Sequence, residues 1–377
     1  AFFEAFYRDF FDEADAAHLA SLGINSVRIP FNYRHFEDDS APFVLKEEGF
    51  ARLDRVVRLL GRHGIYSILD LHALPGRQNQ HWHSDNPTHV ADFWNHPHFQ
   101  DRVIGLWEAL ADRYKDTPEV AGFNPINEPS DPSGEVLPAF YERLENAIRA
   151  VDDRHILFLD GNRYSTDFSF LDSRTEPMAN TVYTAHDYAL PGITSATAYP
   201  GVTRGEYFDR SVVEQTFLRR TEYMRRTGTP IWIGEFGPVY SHDRSQDAWR
   251  LQLLRDQLEI SRDHGASWAL WTYKDIGLQG LVHTARDSAY LELVGDVVEK
   301  KQRLGVDSWG GSDANIREVM DPIDALFDRE FPSYAPYPWG RQPHIAVLVR
   351  HILMAEPLAE QFAERFRGVD APRAREL

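Results

Sequence analysis

The 377-residue chain has no cysteine. It therefore has no disulfide framework, no zinc–thiolate centre and no thiol nucleophile, and its redox compartment stays open. Nor does it hold a run of about 18 apolar residues, the length that a membrane-spanning helix needs. Positive charge is scarce: 40 Lys and Arg stand against 58 Asp and Glu, a formal net charge of −18. A surface of that sign repels phosphate backbones, and the basic residues never gather into a stripe, so nucleic acid is not an expected partner. Internal repeats, low-complexity tracts and Gly/Ser linkers are missing too. One catalytic domain over 1–377 is the expectation, since 42% hydrophobic content at this length fills the core of a barrel. The chain opens at Ala1 inside a helical stretch, with neither Met nor a signal pattern. Its natural start is expected upstream, and localisation and oligomeric state are unknown from sequence.

What is present is an alternation of short apolar runs with amphipathic helical stretches, as in β/α units around a parallel sheet. Seven runs read as strands: 25–31, 65–72, 120–128, 155–161, 181–188, 230–236 and 267–273. Between them, stretches such as 50–63 and 99–114 repeat apolar residues at three- and four-residue spacings and read as covering helices. Buried parallel strands stay apolar until they reach the C-terminal rim, and five of the seven end in a functional-looking residue. The expected fold is α/β, a (β/α)8 TIM barrel. Because 1–22 looks helical, the first strand is expected upstream of residue 1. Residues 274–377 form a long extension after the last strand, with helices expected at 314–331 and 344–366. One of these should be the eighth barrel helix and the other an added layer.

Two strand ends carry carboxylates. The run 120–128 closes in Asn127-Glu128-Pro129, and 230–236 closes in Gly234-Glu235-Phe236-Gly237. Glycosidic bonds are cleaved by an acid that protonates the departing oxygen and a carboxylate that attacks the anomeric carbon or activates water. A single strand-end Glu often does no more than pair with an arginine in the barrel mouth. Two on one rim point to chemistry.

Asn-Glu-Pro closing the fourth barrel strand and Glu-Phe-Gly closing the seventh resemble clan A glycoside hydrolases, in particular family 5, the cellulase-like family. The resemblance covers about residues 10–275. It implies Glu128 as acid/base and Glu235 as nucleophile of a retaining enzyme that needs no cofactor and acts on a carbohydrate. Arg28 in Asn25-Ser-Val-Arg-Ile-Pro, His72 in Leu69-Asp-Leu-His, Asn127, His186 and Tyr188 in Ala185-His-Asp-Tyr, and Trp271 in Leu270-Trp-Thr-Tyr match further family positions. The family's first-strand substrate contacts have no counterpart in the chain.

Physical roles follow for these residues. Arg28 beside Glu235 keeps that carboxylate ionised, Asn127 suits a sugar 2-hydroxyl, and Trp271 offers a sugar platform. His186 and Tyr188 alternate on one strand and so share a face. The polar loop 73–95 reads as a wall of the sugar site, with Trp82 and His83 as contacts. His81-Trp-His83 and His96-Pro-His98 have the spacing of barrel metal sites, but they lie in a loop and not at a strand end, so no metal is expected. Two other readings are a metal-dependent amidohydrolase on the same barrel and a carbohydrate-binding pseudoenzyme. Endo-acting glucanases, mannanases and glycolipid-cleaving enzymes share the motif residues. The length of the extension favours a closed pocket and exo action on short glycosides, with His283, Tyr290 and Trp309 as its candidate contacts.

Overall fold

The computed structural model describes residues 2–172, 174, 176–188, 198–203, 205–241, 244–276, 279–285, 287–306 and 314–377. Seven parallel strands form one sheet whose order follows the chain: β1 Ser26–Asn32, β2 Tyr66–Ala73, β3 Val120–Asn124, β4 Ile156–Asp160, β5 Thr181–His186, β6 Ile231–Glu235 and β7 Ser267–Trp268. Each strand is joined to the next through helix, the winding of a (β/α)8 barrel, except between β4 and β5, where the described residues form only the short turns Asn162–Ser165 and Ser169–Leu171. Helices Glu47–Arg62, Pro97–Tyr114, Val136–Val151, Arg210–Arg220 and Arg244–Asp263 cover it.

The first of these buries Phe50, Leu53, Val57 and Leu60, an apolar stripe at helical spacing. It starts earlier than apolar periodicity suggests, because Glu47 and Glu48 in its first turn favour the positive end of the helix dipole. Pro97 opens the second with a preset φ, and Leu106, Trp107 and Leu110 pack inward. They meet Leu69, Leu71, Phe123, Leu157 and Ile233 from the strands in one contiguous core. Each such side chain contributes roughly 1.5–3 kcal/mol when fully buried.

Strand ends depart from the sequence expectation where backbone chemistry intervenes. β3 stops at Asn124 because Pro125 has no N–H for the ladder. β7 is short, yet Ala269 N donates to Ile233 O at 2.8 Å and Trp271 N to Phe236 O at 2.9 Å, so the chain still follows β6 to the rim. The N-terminal stretch is two helices, Phe2–Asp9 and Glu13–Ser21, the second closed by an Asp12–Asp15 capping box.

The extension differs more. The helix after the last strand is Ala289–Arg303, which neither expected helix covers. Those two appear as Arg317–Glu330 and as Arg341–Val347 continuing through a π turn into Ala355–Arg365. They pack together through Ile316, Met320, Ile345 and Val349. Among the described residues the extension meets the rest of the chain where Trp339 stacks on Tyr164, where the His344 ring approaches that of His89, and where Ala371–Glu376 contacts Phe2–Asp9.

Candidate active site

Beyond β3 the chain crosses the rim as Pro125-Ile126-Asn127-Glu128. Asn127 N is held by Leu71 O of β2 at 3.1 Å. Glu128 takes a φ of +47°, a left-handed conformation that costs a non-glycine residue on the order of 1–3 kcal/mol. Two hydrogen bonds hold it there: Glu128 N donates to Asp160 Oδ2 at 2.9 Å, and Asn79 Nδ2 donates to Glu128 O at 3.0 Å. The side chain then meets His186 Nδ1 at 2.8 Å through Oε1 and His83 Nε2 at 2.9 Å through Oε2. Burial pushes the Glu128 carboxyl up, but the hydrogen bonds with His186 and His83 outweigh it and hold the group below the usual carboxylate range.

His186 faces three carboxylates, with Glu235 Oε2 at 3.7 Å and Asp160 Oδ2 at 3.5 Å besides Glu128. Burial lowers its pKa, whereas Glu235, Asp160 and Glu128 raise it and prevail. A carboxylate beside an imidazolium and an acid beside an imidazole differ only in where one proton sits. Glu128 and His186 therefore titrate as a unit. Burial also pushes Asp160 up to about 6.

Glu235 ends β6. Gly234 before it is required by close approach: a Cβ there would stand 2.3 Å from Thr184 Cγ2 and 3.1 Å from His186 Nε2. Arg28 Nη1 donates to Glu235 Oε1 at 2.6 Å, and Tyr188 OH donates to Oε2 at 2.8 Å. The same guanidinium reaches Asn127 Oδ1 at 2.7 Å, Asn124 Oδ1 at 2.8 Å and Asp70 Oδ2 at 3.1 Å. Burial lowers the Arg28 pKa, but Asp70, Glu235 and Asp160 more than restore it, so the cation persists. Burial and then Glu235 raise Tyr188 well above its ordinary value, which keeps it a phenol and a donor. One oxygen of Glu128, one of Glu235 and a nitrogen of His186 lie within 4.8 Å of one another.

The structure brings together most residues expected from sequence. His72 Nδ1 is 2.8 Å from Asp70 Oδ2 and its Nε2 is 3.3 Å from Asn127 Nδ2. Trp271 stacks on the His72 ring at 5.1 Å and 12°. His83 touches Glu128 directly, and Trp82, half exposed, lies edge-on to His83 at 6.1 Å. Of the candidates in the extension, His283 is exposed, Tyr290 is buried with its ring 6.5 Å from Phe366, and Trp309 lies outside the described residues. Sequence reasoning missed Asp70, Asn79, Asn124 and Asp160. Asp160 had a signal, since it ends the apolar run Ile156-Leu-Phe-Leu, and Asp70 stands two residues before His72 on one face. Tyr164 and Trp339 had none.

Two buried carboxylates face each other at the C-terminal rim of a parallel barrel, one paired with arginine. Retaining glycosidases set their carboxyl groups about 5–5.5 Å apart, and inverting ones clearly farther. The molecule is a glycoside hydrolase. Residues 2–277 match the family Cellulase (glycosyl hydrolase family 5), and the chain belongs to that family. It is 45% identical to a β-xylosidase of Phanerodontia chrysosporium, over 97% of this chain and 79% of that one. Endoglucanase C of Acetivibrio thermocellus is 22% identical over 79% of this chain and 95% of its own length. Among solved structures, Cel5A of Thermotoga maritima in complex with cellobiose shares the fold with a TM-score of 0.59 at 22% identity, covering 76% of this chain and 89% of that one.

Proposed function

We propose that Glu235 is the nucleophile and Glu128 the acid/base of a double displacement that releases a terminal sugar from short β-xylosides. Glu235 attacks the anomeric carbon while Glu128 passes a proton to the departing oxygen, which leaves a glycosyl ester on Glu235. Water, deprotonated by Glu128, then attacks the same carbon and frees the sugar and both carboxyl groups. Arg28 and Tyr188 hold Glu235 oriented through hydrogen bonds to its two oxygens, and the Glu128–His186 pair stores the proton.

The observation that carries this reading is the unequal surroundings of two carboxyl groups within 4.8 Å: Glu235 meets a permanent cation and a phenol, and Glu128 meets two imidazoles. Environments that differ in this way separate an attacking carboxylate from a proton carrier. His72, Asn127 and Trp271 are assigned to the sugar cleaved, and His83 and Trp82 to the rim beside Glu128. The xyloside assignment draws on the 45% identity to the β-xylosidase. Exo action, and a single domain spanning barrel and extension, draw on the segment 336–340 meeting the rim at Tyr164. Kinetics of two variants test the roles. Glu235→Ala should abolish turnover. Glu128→Ala should slow poor leaving groups by roughly 10²–10⁴-fold, spare activated ones, and respond to azide. Wild-type rates in both variants would refute the assignment.

A further inference from the structure

One segment outside the catalytic pair is strained over three successive residues. After β4, Arg163, Tyr164 and Ser165 all take left-handed φ, at 50°, 61° and 59°. None is glycine, and three such residues in succession persist only where surrounding contacts impose them. The contacts are specific: Tyr164 N donates to Pro129 O at 3.1 Å, Ser165 Oγ donates to Thr184 O, and Tyr164 OH donates to Gln80 Oε1 at 3.1 Å. The turn is thereby tied to the residue after Glu128. It places the Tyr164 ring 6.0 Å from that of His83, whose Nε2 contacts Glu128. On Tyr164, at 5.6 Å and 27°, stacks Trp339.

Trp339 lies beyond the family-matched residues 2–277. The extension delivers it on Tyr337-Pro338-Trp339-Gly340, where the prolines at 336 and 338 restrict the backbone. The helix that follows is fastened to the loop 73–95, with the His344 ring 4.6 Å from that of His89. Even with Tyr164 stacked on it and Arg163 Cζ 5.6 Å from its ring, Trp339 keeps 46% of its surface exposed. A large aromatic surface left open on a restrained backbone beside an active site suits a flat ring.

Resting on the assignment of Glu128 as acid/base, we propose that Trp339 is the platform for the ring of the leaving group, a sugar or an aryl aglycone. A proton donor stands beside the departing oxygen, so the surface that runs from Glu128 through His83 and Tyr164 to Trp339 lies along the leaving group. Glu235, by contrast, is flanked by Arg28 and Tyr188. The extension thus adds a specificity-determining residue that the barrel does not supply.

The test compares kcat/KM for β-xylosyl fluoride, which has no leaving-group ring, with 4-nitrophenyl β-xyloside and xylobiose. In Trp339→Ala the value for at least one ring-bearing substrate should fall about three- to tenfold relative to the fluoride. Trp339→Phe should recover most of that ratio. Loss with xylobiose alone identifies a sugar aglycone, and loss with the nitrophenyl glycoside alone identifies an aryl one. Equal loss on all three substrates, or a Phe variant no better than Ala, would overturn the proposal. Glu128→Ala on the same set separates the two levels: if it slowed fluoride and xylobiose alike, the acid role would fail and the platform with it.

Discussion

Arg28 contacts four partners on three strands or their rim extensions, so its loss would disturb chemistry and fold together. Arg28→Met should leave Asp70 and Glu235 buried without their cation, a change that typically costs about 3–5 kcal/mol. It should also cut kcat, because Glu235 and Asn127 lose the guanidinium hydrogen bonds that orient them. Melting curves and kinetics on one preparation check both effects. The shared proton of Glu128 and His186 gives a pH prediction. The productive state carries one proton on the pair and loses it as pH rises through the upper pKa of the pair. Because His186 is raised from 6.5, that basic limb should lie above the ordinary imidazole range. His186→Ala leaves Glu128 to hold the proton alone, so the limb of kcat/KM should move to lower pH. An unmoved limb would refute the shared proton. At this scale Glu128 and Glu235 were legible because they interrupt apolar runs at strand ends, whereas Asn79 and Asp160, which hydrogen-bond to Glu128, were missed. Asp70 and Asn124 sit within strands and look there like ordinary polar residues of a barrel interior.

At the scale of elements, periodicity identified seven strands and most covering helices, and it erred at ends set by single residues such as Pro125. It erred further in the extension. Helix Ala289–Arg303 buries only a narrow stripe of Tyr290, Val294 and Val297 among charged residues, so its apolar period is faint. The contact between the loop 73–95 and the helix from Arg341 was invisible, since it depends on tertiary pairing of His89 with His344. That contact region should be acid-sensitive. Burial lowers His81 to about 3, the neighbouring His83, His351 and His89 push the same way, and Glu128 opposes them. Burial also lowers His89 and His344. Each holds a proton less tightly when folded than when unfolded, where an imidazole titrates near 6.5. The folded state then binds fewer protons, so their effect is absent above that pH and stability falls as pH drops from 6.5 toward 3. Melting temperature should decline across this window, less steeply in His81→Asn. Equal slopes would show that His81 does not contribute.

For the whole molecule, a barrel whose rim is met by its own C-terminal segment should accept chain ends and not the middle of a polymer. Digestion of a soluble β-xylan is expected to release monosaccharide with little early loss of viscosity, and a rapid fall with mixed oligosaccharides would contradict exo action. The net charge of −18 is consistent with an uncharged sugar substrate, which needs no steering field. The central claim is the covalent step at Glu235, and trapping tests it most directly. Incubation with 2-deoxy-2-fluoro-β-xylosyl fluoride slows both chemical steps while the good leaving group preserves the first. Mass spectrometry should then show one fluoroxylosyl unit added per chain, located on Glu235 in the digested protein. An adduct on another residue, or no adduct while the natural glycoside is hydrolysed with inversion, would contradict it.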